Sequence, residues 1–238
     1  MTARWLLVRH GQTEAQGRYL GHADVPLSPL GHTQALRLAE RLAREPLGAA
    51  FASDLCRASD TLATVLALQP APVTPALSTD LREVSFGAWE GRTYAEVSGD
   101  PGTAAALAGT VPFPGGESLD DLAARVQRFY VHLQERAASG ARHDGDAATV
   151  IVAHGGPLRL LLCLALGLPP AEHWRFQVDL ASLSEVRWAA PTGARLVSLN
   201  DRCHLAAEWG APNGVLDGAR GGGRVPAGGP SREEAARP

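Results

Sequence analysis

Cysteine is scarce in this chain, with three in 238 residues. Cys56 and Cys163 sit in apolar helical patterns and Cys203 near a strand end, a spacing that makes neither a disulfide framework nor a zinc knuckle. Reduced and mostly buried thiols in a cytoplasmic protein are expected. Long apolar runs are missing too. The stretch 158–168 is broken by Arg159 and is far too short to cross a bilayer. The run between Arg4 and Arg9 is too short for the core of a secretory leader, so neither leader nor membrane partner is expected. Charge of one sign is also lacking: a formal net charge of −3 gives no bulk electrostatic case for nucleic acid. No internal repeat is evident.

What is there is a 45% hydrophobic composition on a length sufficient for one large α/β domain. Trp5 to Val8 reads as a first strand, followed by a long polar loop from Gly11 to Pro29, and loops of that length usually carry function. Ser28 and Pro29 then read as N-cap and first residue of a helix whose apolar side is Leu36, Leu38, Ala39, Leu42 and Ala43. Ala49 to Ser53 is a second strand, and a second helix follows at once with Leu62, Val65, Leu66 and Leu68 on its core side. A Pro-rich connection leads to a short strand around Val73, then to an ordered loop from Leu81 to Gly91. The small-residue stretch 98–116 reads as a flexible lid or insertion, and Leu119, Leu122, Val126, Phe129 and Leu133 mark an amphipathic helix. A surface loop is expected at 138–145. Thr149 to Ala153 is the clearest buried strand, a helix runs from Pro157 to about Leu166, and Leu183–Trp188 with Arg195–Leu199 forms a late hairpin. This alternation predicts an α/β fold, a three-layer α/β/α sandwich with a mostly parallel central sheet, over residues 1–209. Residues 210–238, rich in Gly, Pro, Ala, Arg and Glu, read as a disordered tail.

Chemistry-bearing residues cluster where strands end. Arg9 and His10 close the first strand, Arg57 falls in the first helical turn after the second, and His154 closes the buried strand before Gly155 and Gly156. Open α/β sheets bind ligands at such ends, and helix N-termini attract anions. Glu83 is the acidic group to set beside them. One histidine at a strand end is more often structural than catalytic, but two in the same context, with two arginines similarly placed, are harder to dismiss.

Arg9-His10-Gly11, Ser53-Asp54-Leu55 with Arg57, Leu81-Arg82-Glu83 with Phe86-Gly87 and Trp89-Glu90-Gly91, and Val152-Ala153-His154-Gly155-Gly156 together resemble, in order, the motifs of the histidine phosphatase superfamily, phosphoglycerate mutase-like proteins, from about Ala3 to Asn200. The resemblance implies a phosphoglycerate mutase-like sandwich, a phosphohistidine intermediate and no metal or other cofactor. It makes His10 the nucleophile. Arg9, Arg57 and His154 become the groups on the phosphoryl oxygens, where cationic forks suit a transfer that is mostly positioning and charge stabilisation. Glu83 becomes the acid that protonates the leaving alkoxide and then the base that deprotonates water. Glu90 is the rival acid, expected instead to face solvent or a structural partner. Thr13 and Gly155 fall at the substrate as well, and Gln16 stands where relatives commonly carry an asparagine that contacts phosphate.

The stretch from Gly17 to Ser28, with Tyr19 and His22, resembles the substrate loop of the small phosphatases, α-ribazole-5′-phosphate phosphatases above all. The region from Arg92 to Glu117 is short and has no basic cluster for a second anion, which favours hydrolysis of a small-molecule ester over phosphoglycerate mutase chemistry. Tyr19, His22, Phe86, Trp89 and Tyr94 either line an aromatic-tolerant pocket or pack the loop. Two other readings stay in play: a phosphate-binding relative without turnover, and a metal site of His10, His154 and Glu83, which the two arginines would oppose. A homodimer is one option for the assembly.

Overall fold

The computed structural model describes residues 2–139, 147–190 and 192–208. The expected tail at 210–238 and most of the expected surface loop at 138–145 lie outside them. In chain order the elements are β1 (Thr2–Arg9), α1 (Pro29–Leu42), β2 (Leu47–Ser53), α2 (Cys56–Ala67), β3 (Pro75–Ser78), α3 (Tyr94–Val97), α4 (Thr103–Leu107), α5 (Leu119–Ala138), β4 (Ala148–Ala153), α6 (Gly155–Leu166), β5 (Leu183–Ala189) and β6 (Gly193–Asp201).

The strands form one sheet in the order β3-β2-β4-β1-β5-β6. β3, β2, β4 and β1 pair in parallel, whereas β5 and β6 add an antiparallel edge. Side chains alternate across a strand, and this alternation builds the layers. Leu6 and Val8, with Ala50, Ala52, Val150 and Val152, pack under Leu38, Ala39 and Leu42 of α1 and Leu62 and Val65 of α2. Their neighbours Trp5, Leu7, Phe51 and Ile151 face the opposite way, onto Leu122, Val126 and Phe129 of α5 and Leu158, Leu161 and Leu162 of α6. The result is the expected three-layer sandwich with a mostly parallel sheet. Among the described residues no helix is long and apolar enough to cross a membrane.

Local expectations met packing in different ways. The Ser28 hydroxyl caps α1 by accepting from the Gly31 N–H at 3.0 Å. The strand expected around Val73 instead pairs at Pro75–Ser78, an edge position with β2 as its one partner strand. Leu36 and Leu68, placed on the core side of their helices from the sequence, are exposed, because α1 and α2 each turn a narrower stripe to the sheet. The stretch 98–116 contains α4, and Ala106 joins Tyr19, Trp89 and Val97 in a small separate core, with Leu107 and Phe113 packed against it. Of the three thiols only Cys163 is buried; Cys56 is partly exposed at the start of α2 and Cys203 is exposed.

One packing feature fixes how the loop after β1 meets α1. A Cβ on Gly31 would lie 2.0 Å from the Gln12 carbonyl oxygen, and one on Gly11 would lie 2.6 Å from the Gly31 carbonyl oxygen. Alanine within a helix ordinarily gains about 1 kcal/mol over glycine. Here backbone blocks it, so Gly31→Ala is expected to lose about 1–3 kcal/mol in urea unfolding. A stabilised variant would show that the loop does not need this contact.

Candidate active site

The carboxyl ends of the four parallel strands deliver the site. β1 and β4 run in register with Arg9 opposite Ala153, so the next residues, His10 and His154, are neighbours. Their rings lie 4.9 Å apart. β2 ends one strand further on, and its chain continues into α2, whose first turn carries Arg57. β3 pairs with β2 through Ser53 and Ser78, after which a short turn at Thr79–Leu81 leads to Glu83. The structure thus brings together Arg9, His10, Arg57, Glu83 and His154.

The hydrogen bonds assign the ring protons. His10 Nδ1 lies 2.7 Å from the Gly11 carbonyl oxygen, which only accepts, so the neutral ring carries its proton on Nδ1 and presents a lone pair at Nε2. His154 Nδ1 accepts from Arg57 Nε at 3.2 Å, which puts the His154 proton on Nε2. That Nε2 is buried and has no hydrogen-bond partner among the described residues. Burial holds both imidazoles well below the ordinary histidine value. Arg57 and Arg9 push His10 further down, and His10, Arg57 and Arg9 do the same to His154. Both rings are neutral near pH 7.

Arg57 is 1% exposed, so its charge must be matched internally. Besides His154, it donates to the carbonyl oxygens of Ala23, Leu20 and Gly21 at 2.8–3.0 Å. These bonds engage four of its five N–H groups among the described residues. Glu90 holds the same loop from its other polar side. Its carboxylate accepts from the N–H groups of Gly21, His22, Ala23 and Phe86 at 2.9–3.0 Å. Glu90 therefore has a structural partner, as its sequence context suggested, and Gly21 is required because a Cβ there would lie 2.2 Å from Glu90 Oε1.

Glu83 sits under the start of α6, where its carboxylate accepts from Gly156 N at 3.1 Å and its own neighbour Val84 N at 2.9 Å. A Cβ on Gly156 would come within 2.4 Å of Glu83 Oε1, so the second glycine after His154 makes room for this carboxylate. Behind Glu83 stands Arg125 on α5, unforeseen from the sequence. It donates to the carbonyl oxygens of Asp80, Arg82 and Glu83 at 2.5–3.0 Å and to both Glu117 oxygens at 2.8 and 2.9 Å. Glu117 also accepts from Ser85 N at 2.9 Å. A signal was present: Arg125 falls three residues after Leu122 and four before Phe129, within the apolar stripe of α5. A charged residue there must have buried acceptors.

A cavity of about 420 Å³ opens over this corner. Arg9, His10, Thr13, Gln16, Arg57, Glu83 and Gly155 line it. His22 does not: with its backbone held by Glu90, its ring points toward Glu117, 3.9 Å away. His154, beside His10, is fully buried and is not among the residues that line the cavity. Of the aromatic candidates, Tyr19 and Phe86 reach the cavity. Trp89 is packed in the small core, so for it the packing alternative holds, whereas Tyr94 is exposed and neither lines the cavity nor joins a core. Among the described residues no set of three or more His, Cys, Asp or Glu side chains is arranged to hold a metal ion.

Residues 5–202 match the sequence profile of the histidine phosphatase superfamily, branch 1. The chain is 36% identical over 197 residues to glucosyl-3-phosphoglycerate phosphatase of Mycolicibacterium vanbaalenii, covering 80% of this chain and 86% of that protein. It is 37% identical over 208 residues to the bifunctional protein Rv2228c of Mycobacterium tuberculosis, covering 85% of this chain. It spans about half of that larger relative, 55% of its length. Among solved structures, the α-ribazole phosphatase from Shigella flexneri is similar at a TM-score of 0.72 and 30% identity, over 83% of this chain and 96% of that one.

Burial lowers the folded-state values of His10, His154, His173 and His204. Below about pH 6.5 the unfolded chain therefore binds protons that the native chain does not. Stability should be full above about pH 7 and should fall as the pH drops from 6.5 toward 5, by up to about 1.4 kcal/mol per pH unit per histidine. Thermal melts across that range check it, and a flat profile would contradict the buried neutral rings. Arg125→Met would strand three carbonyls and the Glu117 carboxylate, and should lose about 3–5 kcal/mol in urea unfolding; a loss under 1 kcal/mol would show that the clamp is dispensable.

Proposed function

The chain belongs to the histidine phosphatase superfamily, and on that premise we propose that it hydrolyses a small-molecule phosphate monoester through a phosphohistidine, without a metal ion. The observation that carries this reading is the protonation pattern at the corner: a neutral His10 whose Nδ1 is tied to Gly11 and whose Nε2 carries the lone pair. A nucleophile toward phosphorus needs that form. Beside it, the unpartnered Nε2–H of His154 and the remaining N–H of Arg57 are donors suited to phosphoryl oxygens. Arg9, placed by the resemblance at the phosphate, lines the same cavity.

In the first half-reaction His10 Nε2 bonds to phosphorus while the ester P–O bond breaks, and Glu83 gives its proton to the departing alkoxide. In the second, Glu83 takes a proton from water, the water oxygen bonds to phosphorus, and the P–N bond breaks to return His10 and free phosphate. The Gly156 and Val84 N–H groups aim the carboxyl. Hydrolysis is favoured over a mutase because the 92–117 region offers no basic cluster to hold a second anion during transfer; its Arg92 is paired with Asp100. α-Ribazole-5′-phosphate and glucosyl-3-phosphoglycerate, the substrates named for relatives, are candidate esters.

Phosphate release measured in EDTA tests the reading. His10→Ala is expected to abolish turnover with the melting temperature retained. Glu83→Gln should slow alkyl esters by about 10²–10⁴-fold and p-nitrophenyl phosphate, whose leaving group needs no proton, much less. Turnover surviving in His10→Ala would remove the phosphohistidine, and equal losses on both ester classes would remove Glu83 as the acid.

A further inference from the structure

The phosphate corner occupies the inner end of the cavity; the remainder must receive the alcohol. One side of it is built by the segment from Val84 to Leu122, and the side chains that line it there, beyond Glu83, are apolar: Val84, Phe86, Leu107, Val111 and Phe113 lead outward from the corner. From a distant part of the chain, Trp174 lines the same cavity. Val84 belongs to the main core, and Phe86, Leu107 and Phe113 pack against the small one, so most of this wall also serves packing. Core packing does not account for its outer end. Val111 is 42% exposed and Trp174 is 65% exposed, although both line the cavity. Apolar side chains gathered along one cleft and left in water mark a surface that an apolar ligand would cover. The charged lining groups beyond the corner, Arg159 and Asp179, come from α6 and the segment after it and not from this wall.

We infer that the leaving group is an alcohol with an extended apolar body, such as an alkyl or aryl alcohol, and that the 84–113 wall is its subsite. The inference rests on the phosphomonoesterase reading above. A sugar laid against this wall would lose water from its hydroxyls without gaining partners, at a cost of roughly ten- to a hundredfold in affinity for each group left unpaired. A methylene laid there gains up to about fourfold.

The test is kcat/KM for phosphate release, in EDTA, from n-alkyl phosphates of two to eight carbons, with glucose 6-phosphate, phosphoserine and p-nitrophenyl phosphate alongside. A rise of about two- to fourfold per methylene is expected, or about 15- to 250-fold from ethyl to hexyl. Hexyl phosphate should also exceed glucose 6-phosphate and phosphoserine. In Val111→Asp, an exposed position where the fold tolerates change, the length dependence should flatten. Release from every ester with no length dependence, or faster release from glucose 6-phosphate or phosphoserine than from hexyl phosphate, overturns the apolar subsite and leaves the hydrolase reading standing. No release from any ester, p-nitrophenyl phosphate included, overturns the hydrolase reading itself and this inference with it.

Discussion

A guanidinium with almost no access to water needs acceptors in fixed positions, and Arg57 sets that requirement for the whole corner. It takes its acceptors from Leu20, Gly21, Ala23 and His154. Glu90 answers with the opposite charge on the same loop, receiving the N–H groups of residues 21–23. The loop is thereby clamped between a cation on its carbonyls and an anion on its amides. Asp24 continues the pattern by accepting from the first N–H of α2 at 2.7 Å, which ties the loop to the helix that carries Arg57. Little freedom is left in the segment, so Arg57 and the His154 ring bonded to it are held in one orientation. Such preorganisation is what stabilises charge on a transferring phosphoryl group.

The second dependence is the register between β1 and β4. A shift of one residue would turn every side chain of β1 to the other layer, exchanging Leu6 and Val8 with Trp5 and Leu7. It would also part His10 from His154. Sheet packing and site geometry are therefore one constraint: the alternation that fills two different helix interfaces fixes which residues emerge at the strand ends. The backbone ladder extends past the strand itself, with His10 N donating to Ala153 O at 3.0 Å and Ala181 N donating to His10 O at 3.1 Å.

Much of this was legible because the signals were local. Apolar runs ending in Arg-His-Gly and Ala-His-Gly-Gly marked two parallel strands, and Ser28-Pro29 marked the start of α1. Strand β3 was misplaced by two residues, since as an edge with one partner strand and exposed side chains its bounds are set by pairing with β2, which a single sequence does not display. The apolar pattern predicts wider helix faces at Leu36 and Leu68 than the sheet covers, because the contact stripe depends on what a helix meets. His22 looked like a substrate contact from its neighbours in sequence, yet the backbone bonds to Glu90, 68 residues later, decide where it points. The Arg125 clamp spans 42 to 45 residues to the 80–83 turn. Only the oddity of a charge inside an apolar stripe announced it.

The two parts of the cavity are built by different means, and this bears on how one corner serves different esters. The corner is held largely through backbone: strand register, carbonyls on Arg57, amides on Glu90 and Glu83. Substituting one side chain elsewhere leaves those bonds in place. The outer wall consists of side chains, and at its exposed positions, Val111 and Trp174, volume and polarity can change without moving a strand end. Solved structures named for a glucosyl-3-phosphoglycerate phosphatase and for an α-ribazole phosphatase share this chain's architecture. Selection among alcohols therefore has to come from the part of the fold that does not carry the charge chemistry. In this chain the 84–113 side of that part presents carbon, opposite Arg159 and Asp179, and the energetic consequence is direct: whatever lies against that side gains by leaving water only if it too is largely carbon.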